Sequence, residues 1–238
     1  MRGGYALLRA SITQSKDVAV QPCRTPPPSI HLYVARHGRT SWNELGRFQG
    51  ITDVSLDDFG RAQAAALARV LAGKIEAVIT SDLRRASESG DIIASALGIP
   101  LLAHDADLRE RGYGVFEGLT RDECKARHPG AWAARKADRN FEPPGGELRS
   151  AVVTRMQRGL ARAVDALHAR HERALIIGHG SSLRMFLEAL TSAPVASIGN
   201  LEYRELRHDQ HGFRLVVPPE LSRAKADHCP PAGGTTHD

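Results

Sequence analysis

Apolar positions along this chain follow two rhythms, and their alternation already outlines a fold. Residues 30–35 are a short run of strand formers halted by Arg36-His37-Gly38, which predicts a buried strand ending in a tight loop. Asp57 is placed to cap a helix, because Ala64, Leu67, Ala68 and Leu71 then repeat at helical spacing until Gly73. The pattern returns with a strand over 77–80. Ser81 or Asp82 is the expected cap of a helix through Ile92, Ile93, Ala96 and Leu97 to Gly98, and 101–103 predict a further short strand. After a loop-rich middle, 148–168 predict one long amphipathic helix and 174–177 a very apolar strand ending at Gly178-His179-Gly180. A helix over 183–190 and late strands over 202–207 and 212–217 complete the series.

Strands alternating with helices imply an α/β three-layer sandwich, a mostly parallel central sheet with right-handed crossovers and helices on both faces. Ligands in such sheets bind at the carboxyl ends of the strands. His37 and His179 each follow a strand beside glycine, so both are expected on that edge. The domain is expected over 30–217. Residues 1–29, ending in a proline run, read as a disordered leader, and 218–238, with further Pro-Pro and Gly-Gly pairs, as a disordered tail.

Composition narrows the classes of function. With 238 residues, 42% hydrophobic and 25% charged, the chain reads as a soluble globular body, and no run approaches the roughly 18 apolar residues of a membrane span. Arg9 cuts the apolar run 5–8 short of a secretory core, so cytoplasmic residence is expected. Cys23, Cys124 and Cys229 show no metal or redox spacing, and the histidines other than His37 and His179 show no ligand pattern. No Walker loop or dinucleotide fingerprint is present, so neither a metal nor another cofactor is expected.

The net charge of +5 is carried mainly by arginine, a group suited to bidentate contact with phosphate or carboxylate. The arginines are dispersed and aromatics are only 5%, which argues against a nucleic-acid stripe. A small phosphorylated metabolite is the expected partner, without nucleic acid or membrane, and a homodimer is allowed.

His37 offers the chemistry such a partner needs. A neutral imidazole can attack phosphorus directly, splitting one hard displacement into two easier ones while nearby cations hold the transferring group's oxygens. One ring nitrogen must keep its lone pair, so the other is expected to donate to a backbone carbonyl in the 37–39 loop.

The string Arg36-His37-Gly38, followed by Asn43 and Phe48-Gln49-Gly50, resembles the histidine phosphatase superfamily, the phosphoglycerate mutase-like group. Ser81-Asp82-Leu83-Arg84-Arg85-Ala86 is similar to its second arginine motif. Leu108-Arg109-Glu110-Arg111-Gly112-Tyr113-Gly114-Val115-Phe116-Glu117-Gly118 is similar to its acid loop. Ile177-Gly178-His179-Gly180-Ser181-Ser182-Leu183-Arg184 is similar to the segment bearing its second histidine. The four appear in family order over about residues 30–217.

The resemblance implies a phosphatase that forms a phosphohistidine on His37, with Arg36, Arg85 and His179 as the phosphate clamp. Glu110 is implied as proton donor and then base for water, Glu117 as a structural hydrogen-bonding partner and Arg84 as a surface residue. Asn43, Gln49 and Gly50 are implied substrate contacts, with turn structure as the alternative role of Asn43 and Gln49. Gly180, at an expected helix N-terminus, could present a backbone donor to the anion. The competing role for Glu110 is a simple ion pair with Arg109 or Arg111.

Only 28 residues, 119–146, separate Gly118 from Glu147. This resembles the shorter phosphatase cap, a 119–147 insertion over the active site, and Pro143-Pro144-Gly145-Gly146-Glu147 resembles a sequence common in those phosphatases. Arg39 and Leu148 depart from family patterns. Trp132, Arg135, Lys136 and Arg139 lie where substrate contacts would arise, but also read as an ordinary exposed helix face. The alternatives are a 2,3-bisphosphoglycerate-dependent phosphoglycerate mutase, an isomerase, and an inactive module that binds phosphorylated ligands.

Overall fold

The computed structural model describes residues 29–167 and 170–216. Residues 1–28 of the expected leader, the expected tail and His168 lie outside these. Six strands, β1 (Ile30–Arg36), β2 (Ala77–Thr80), β3 (Leu101–His104), β4 (Arg173–Gly178), β5 (Tyr203–Asp209) and β6 (Gly212–Val216), form one sheet in the order β3-β2-β4-β1-β5-β6. The first four are parallel to one another, whereas β5 runs antiparallel to β1 and β6 to β5. The sheet is therefore mixed but mostly parallel, as the alternation of elements predicts.

The described helices are α1 (Ser41–Glu44), α2 (Asp58–Leu71), α3 (Arg84–Leu97), α4 (Arg121–Arg127), α5 (Pro129–Ala137), α6 (Arg149–Leu167) and α7 (Gly180–Thr191). Successive strand side chains point to opposite faces. Leu32, Val34, Ala174 and Ile176 accordingly pack with Met156 and Leu160 of α6 and Leu183 and Phe186 of α7. Ala35, Val78, Leu175 and Ile177 pack with Ala64 and Leu71 of α2 and Ala86 and Ile93 of α3. Burial on both faces is why the central strands read as nearly continuous apolar runs.

Connectivity decides where a crevice opens. β1 and β4 are neighbours in register, with Arg36 opposite Gly178. From their carboxyl ends the chain departs to opposite faces, toward α2 after β1 and into α7 after β4, leaving a gap at the switch point. The His37 N–H still donates to Gly178 O at 3.0 Å, so the residue after β1 is held against the end of β4.

Several local expectations are corrected. The supposed loop-rich middle contains α4, α5 and two 3-10 turns, 106–108 and 114–116. It surrounds a third apolar cluster of Tyr113, Phe116, Cys124 and Trp132, with Phe48 packed against it. Trp132 is only 7% exposed, so the exposed-face reading fails for this residue. Its ring meets Phe48 and Phe116 edge-on, while the Arg135 guanidinium lies 5.1 Å from the Trp132 ring centroid.

Leu83, not Ser81 or Asp82, occupies the cap position of α3, without a side-chain cap bond. Asp82 is instead engaged by Arg109, and Ser81 Oγ accepts from Leu83 N. Helix α6 begins at Arg149 and α7 at Gly180, the latter three residues earlier than expected. Among the described residues no helix is long and apolar enough to cross a membrane.

Candidate active site

The end of β1 delivers His37 to the crevice at only 3% exposure. Its Nδ1 lies 2.7 Å from Gly38 O. With the proton on Nδ1 this is a donated hydrogen bond, and Nε2 retains its lone pair, the arrangement the sequence argument requires. The supporting loop is held from two sides. Gly38 N donates to Ser89 Oγ on α3, whose hydroxyl in turn donates to Arg85 O. Asn200 Nδ2 donates to His37 O at 3.0 Å.

A cavity of about 210 Å³ opens here, lined by Arg36, His37, Asn43, Gly46, Arg47, Phe48, Gln49, Gly50, Arg85, Glu110, Tyr113, Arg121 and Ser181. Arg85 is fully buried and donates to Thr52 O at 2.8 Å and Gly50 O at 2.7 Å. Arg36 donates to Ile198 O. The Nε atoms of both arginines, Gln49 Oε1 and both nitrogens of His179 are buried without a protein partner. Buried polar atoms rarely stay unpaired, and those of Arg36, Arg85 and Gln49, which line the cavity, point to an anionic or hydrogen-bonding guest.

Electrostatics keep the imidazoles neutral. Burial first, then the charges of Arg85 and Arg36, hold the His37 pKa well below its usual value. His179 is likewise depressed, by burial, Arg85 and His37 in that order. Burial also lowers Arg85 to about 10, which leaves it cationic at neutral pH. Tyr113 is pushed up to about 12, chiefly by burial and then by Glu110, so its hydroxyl remains protonated. That hydroxyl lies 2.6 Å from Ser181 Oγ.

Glu110, 9% exposed, is positioned through its carboxylate by the backbone. Oε1 accepts from Arg111 N at 2.9 Å and Ser182 N at 2.8 Å, while Oε2 accepts only from Ser181 N at 3.0 Å. The competing ion pair is absent. The Arg109 guanidinium engages Asp82, and that of Arg111 donates to the carbonyls of Phe141 and Glu147.

His179 and Gly180 do not line the cavity. His179 is fully buried beside His37, with ring centroids 5.1 Å apart. Gly180 begins α7, and a Cβ there would lie 3.2 Å from Arg36 Cδ, so its small size gives the arginine room. The α7 N–H groups with a side-chain acceptor are those of Ser181 and Ser182, and the acceptor is the Glu110 carboxyl. Asn43 serves local structure too, since its Oδ1 accepts from Thr40 N in the capping box of α1.

Three supports gave no local signal in the sequence. Asn200 and Ile198 reach the β1 loop from the segment before β5. Arg155 on α6 donates to the carbonyls of Asp107, Arg109 and Glu110 while pairing with Glu147, and so fixes the acid loop. Among the described residues there is no group of three or more His, Cys, Asp or Glu side chains that could hold a metal ion.

The chain belongs to the histidine phosphatase superfamily (branch 1), whose sequence profile matches residues 32–218. It is similar to a metal-independent phosphoserine phosphatase of Arabidopsis thaliana, 34% identical over 189 residues, covering 76% of this chain and 75% of that protein. It is also similar to a 2,3-bisphosphoglycerate-dependent phosphoglycerate mutase of Methylobacterium sp. (strain 4-46), 35% identical over 181 residues, covering 72% and 85%. Among solved structures, a mycobacterial glucosyl-3-phosphoglycerate phosphatase in complex with VO3 superimposes with a TM-score of 0.68 at 30% identity, covering 80% of this chain and 98% of that one.

Proposed function

We propose that the protein is a phosphatase that moves the phosphoryl group of a small monoester first to His37 and then to water. The observation that carries this reading is a neutral imidazole, anchored through Nδ1, in a cavity shared with Arg36, Arg85 and the carboxyl of Glu110, which makes no ion pair. In the first step His37 Nε2 bonds to phosphorus as the ester P–O bond breaks, and protonated Glu110 gives its proton to the leaving oxygen. In the second, water attacks phosphorus, Glu110 takes the water proton, and the P–N bond breaks to release phosphate and neutral His37. Glu110 Oε2, which accepts one N–H against two for Oε1, is the oxygen we assign to proton transfer.

The charge of the transferring group falls to Arg36 and Arg85, whose Nε donors have no protein partner. Asn43, Gln49 and Gly50 belong to the same binding wall. His179, buried beside His37 with both ring nitrogens unpartnered, completes the clamp in this proposal, and Gly180 gives Arg36 its room. Residues 30–217 form the catalytic domain in this proposal, with 119–147 as its cap.

The guanidinium of Arg121, at the start of α4, lines the cavity yet makes no hydrogen bond or ion pair among the described residues. An exposed, unpartnered guanidinium at the mouth suits a second anionic group on the substrate. Phosphoserine and glucosyl-3-phosphoglycerate, named in two of the similar proteins, each carry a carboxylate beside the phosphate. The proposal extends to action in the cytoplasm on such a metabolite, with a homodimer as its assembly.

The test is turnover of p-nitrophenyl phosphate with chelator present. Steady release is expected from the wild type, and His37→Ala is expected to lower kcat by at least about 10³-fold. Undiminished turnover in His37→Ala would overturn the proposal. The mutase reading is tested with 3-phosphoglycerate and 2,3-bisphosphoglycerate. Formation of 2-phosphoglycerate faster than release of phosphate would replace hydrolysis with isomerisation.

A further inference from the structure

Glu117 takes no part in the chemistry above, yet its carboxylate is fully occupied by donors from two functional loops. Oε1 accepts from Ile51 N at 3.1 Å and Tyr113 N at 2.9 Å, and Oε2 from Thr52 N at 3.0 Å and Thr52 Oγ1 at 2.6 Å. The 51–52 donors belong to the segment whose carbonyls hold Arg85, and Tyr113 lies three residues beyond Glu110. The isolated pairing of Phe48 with Glu117 brings the two segments side by side.

The N–H and C=O of one trans peptide point in opposite directions. Glu117 binds the Ile51 N–H, so the Gly50 carbonyl of the same peptide is aimed the other way, where it accepts from Arg85 at 2.7 Å. That peptide is thus held between a carboxylate and a guanidinium. Gly50 itself has φ +56°, and a Cβ there would fall 1.9 Å from Glu117 Oε1. The carboxylate occupies the space that a side chain at position 50 would need.

We infer that Glu117 is a positioning residue for phosphoryl transfer: by orienting the Gly50–Ile51 peptide it sets the Arg85 guanidinium in the cavity, and through Tyr113 N it keeps that guanidinium in register with the Glu110 loop. The inference rests on the reading that Arg85 binds the transferring group. An amide at 117 must turn an NH₂ group toward backbone donors, which reorients the peptide and with it Arg85.

The experiment is a double-mutant cycle of Glu117→Gln with Arg85→Lys, read as kcat and KM for p-nitrophenyl phosphate and as the inhibition constant of inorganic phosphate. Alone, Glu117→Gln is expected to lower kcat/KM by about tenfold to a hundredfold and to weaken phosphate inhibition. In the Arg85→Lys background the same change is expected to cost less than about threefold, because the aimed group is already gone. Equal losses in both backgrounds, or no loss in either, overturn the inference while leaving the reaction intact. Wild-type turnover and phosphate inhibition in Arg85→Lys alone would instead remove the reading beneath it. If Glu117→Gln does not fold, Thr52→Val deletes one of the four donors at nearly constant volume and enters the same cycle. Its loss is expected to be smaller and likewise to vanish with Arg85→Lys, and a loss that persists there overturns the inference.

Discussion

Glu110 owes its assigned role to what its neighbours do with their own charges. Two arginines flank it in sequence, and an ion pair with either would have left it a structural residue. Arg109 is taken by Asp82 and Arg111 by two carbonyls, so the carboxylate meets only backbone N–H groups. Glu110→Gln keeps nearly the same shape but cannot deliver the proton. It is expected to slow an alkyl phosphate by about 10²- to 10⁴-fold while slowing p-nitrophenyl phosphate, whose leaving group needs little protonation, far less. Comparison of the two kcat/KM ratios checks this, and equal slowing would remove Glu110 from acid catalysis.

The elements that carry these residues meet backbone to backbone. A Cβ on Gly60, in the first turn of α2, would lie 2.1 Å from Arg39 O, and one on Gly38 would lie 2.7 Å from Gly60 O. Arg39 strengthens the contact by donating from Nε to Asp57, the cap of α2, with its guanidinium 4.5 Å from the Phe59 ring centroid. This packing seats α2 against the loop whose Gly38 carbonyl orients His37. Gly60→Ala is therefore expected to destabilise the fold by about 1–3 kcal/mol, as overpacking does. It is also expected to lower kcat by displacing that carbonyl. Denaturant unfolding and turnover measure the two effects, and a folded variant with unchanged kcat would show that the loop does not depend on the helix.

At the scale of the whole molecule, two neutral imidazoles buried beside two guanidinium groups link stability to pH. Both histidines have folded pKa values well below the 6.5 of the free side chain. The unfolded chain binds protons at these positions as pH falls through about 6.5, whereas the folded chain does not, so stability is retained above that pH and lost below it. The expected loss of stability sets in as pH falls through about 6.5 and grows between pH 7 and 5, with both groups acting in the same direction. Urea unfolding across this range checks it, and His37→Ala should remove about half of that loss. A flat profile would mean that the imidazoles are not held neutral by the fold. Bound phosphate opposes the trend, because its charge offsets that of the arginines and lets the folded state accept a proton.

The linear order of residues by itself determined the alternation of strands and helices, the mostly parallel sheet and the placement of His37 at a strand's carboxyl end. Each of these follows from hydrophobic period and from glycine or polar stops, which act over a few neighbouring positions. Arg36, His37, Arg85 and Glu110, the site residues implied by the resemblance of their short motifs, line one cavity. The cap of α7 was not legible, because Glu110, which serves it, lies 71 positions before Ser181. Nor were Asn200, which reaches His37 across 163 positions, or Arg155, which fixes the acid loop from 45 positions beyond Glu110. Trp132 read as exposed because helical period reports a stripe, not whether Phe48 and Phe116 will cover it. Tertiary structure alone decided which charges are already paired, and so which guanidinium and carboxylate groups remain for a phosphate. The physical reason is that an ion pair or hydrogen bond forms by distance in space, of which spacing along the chain carries no record beyond a turn or two.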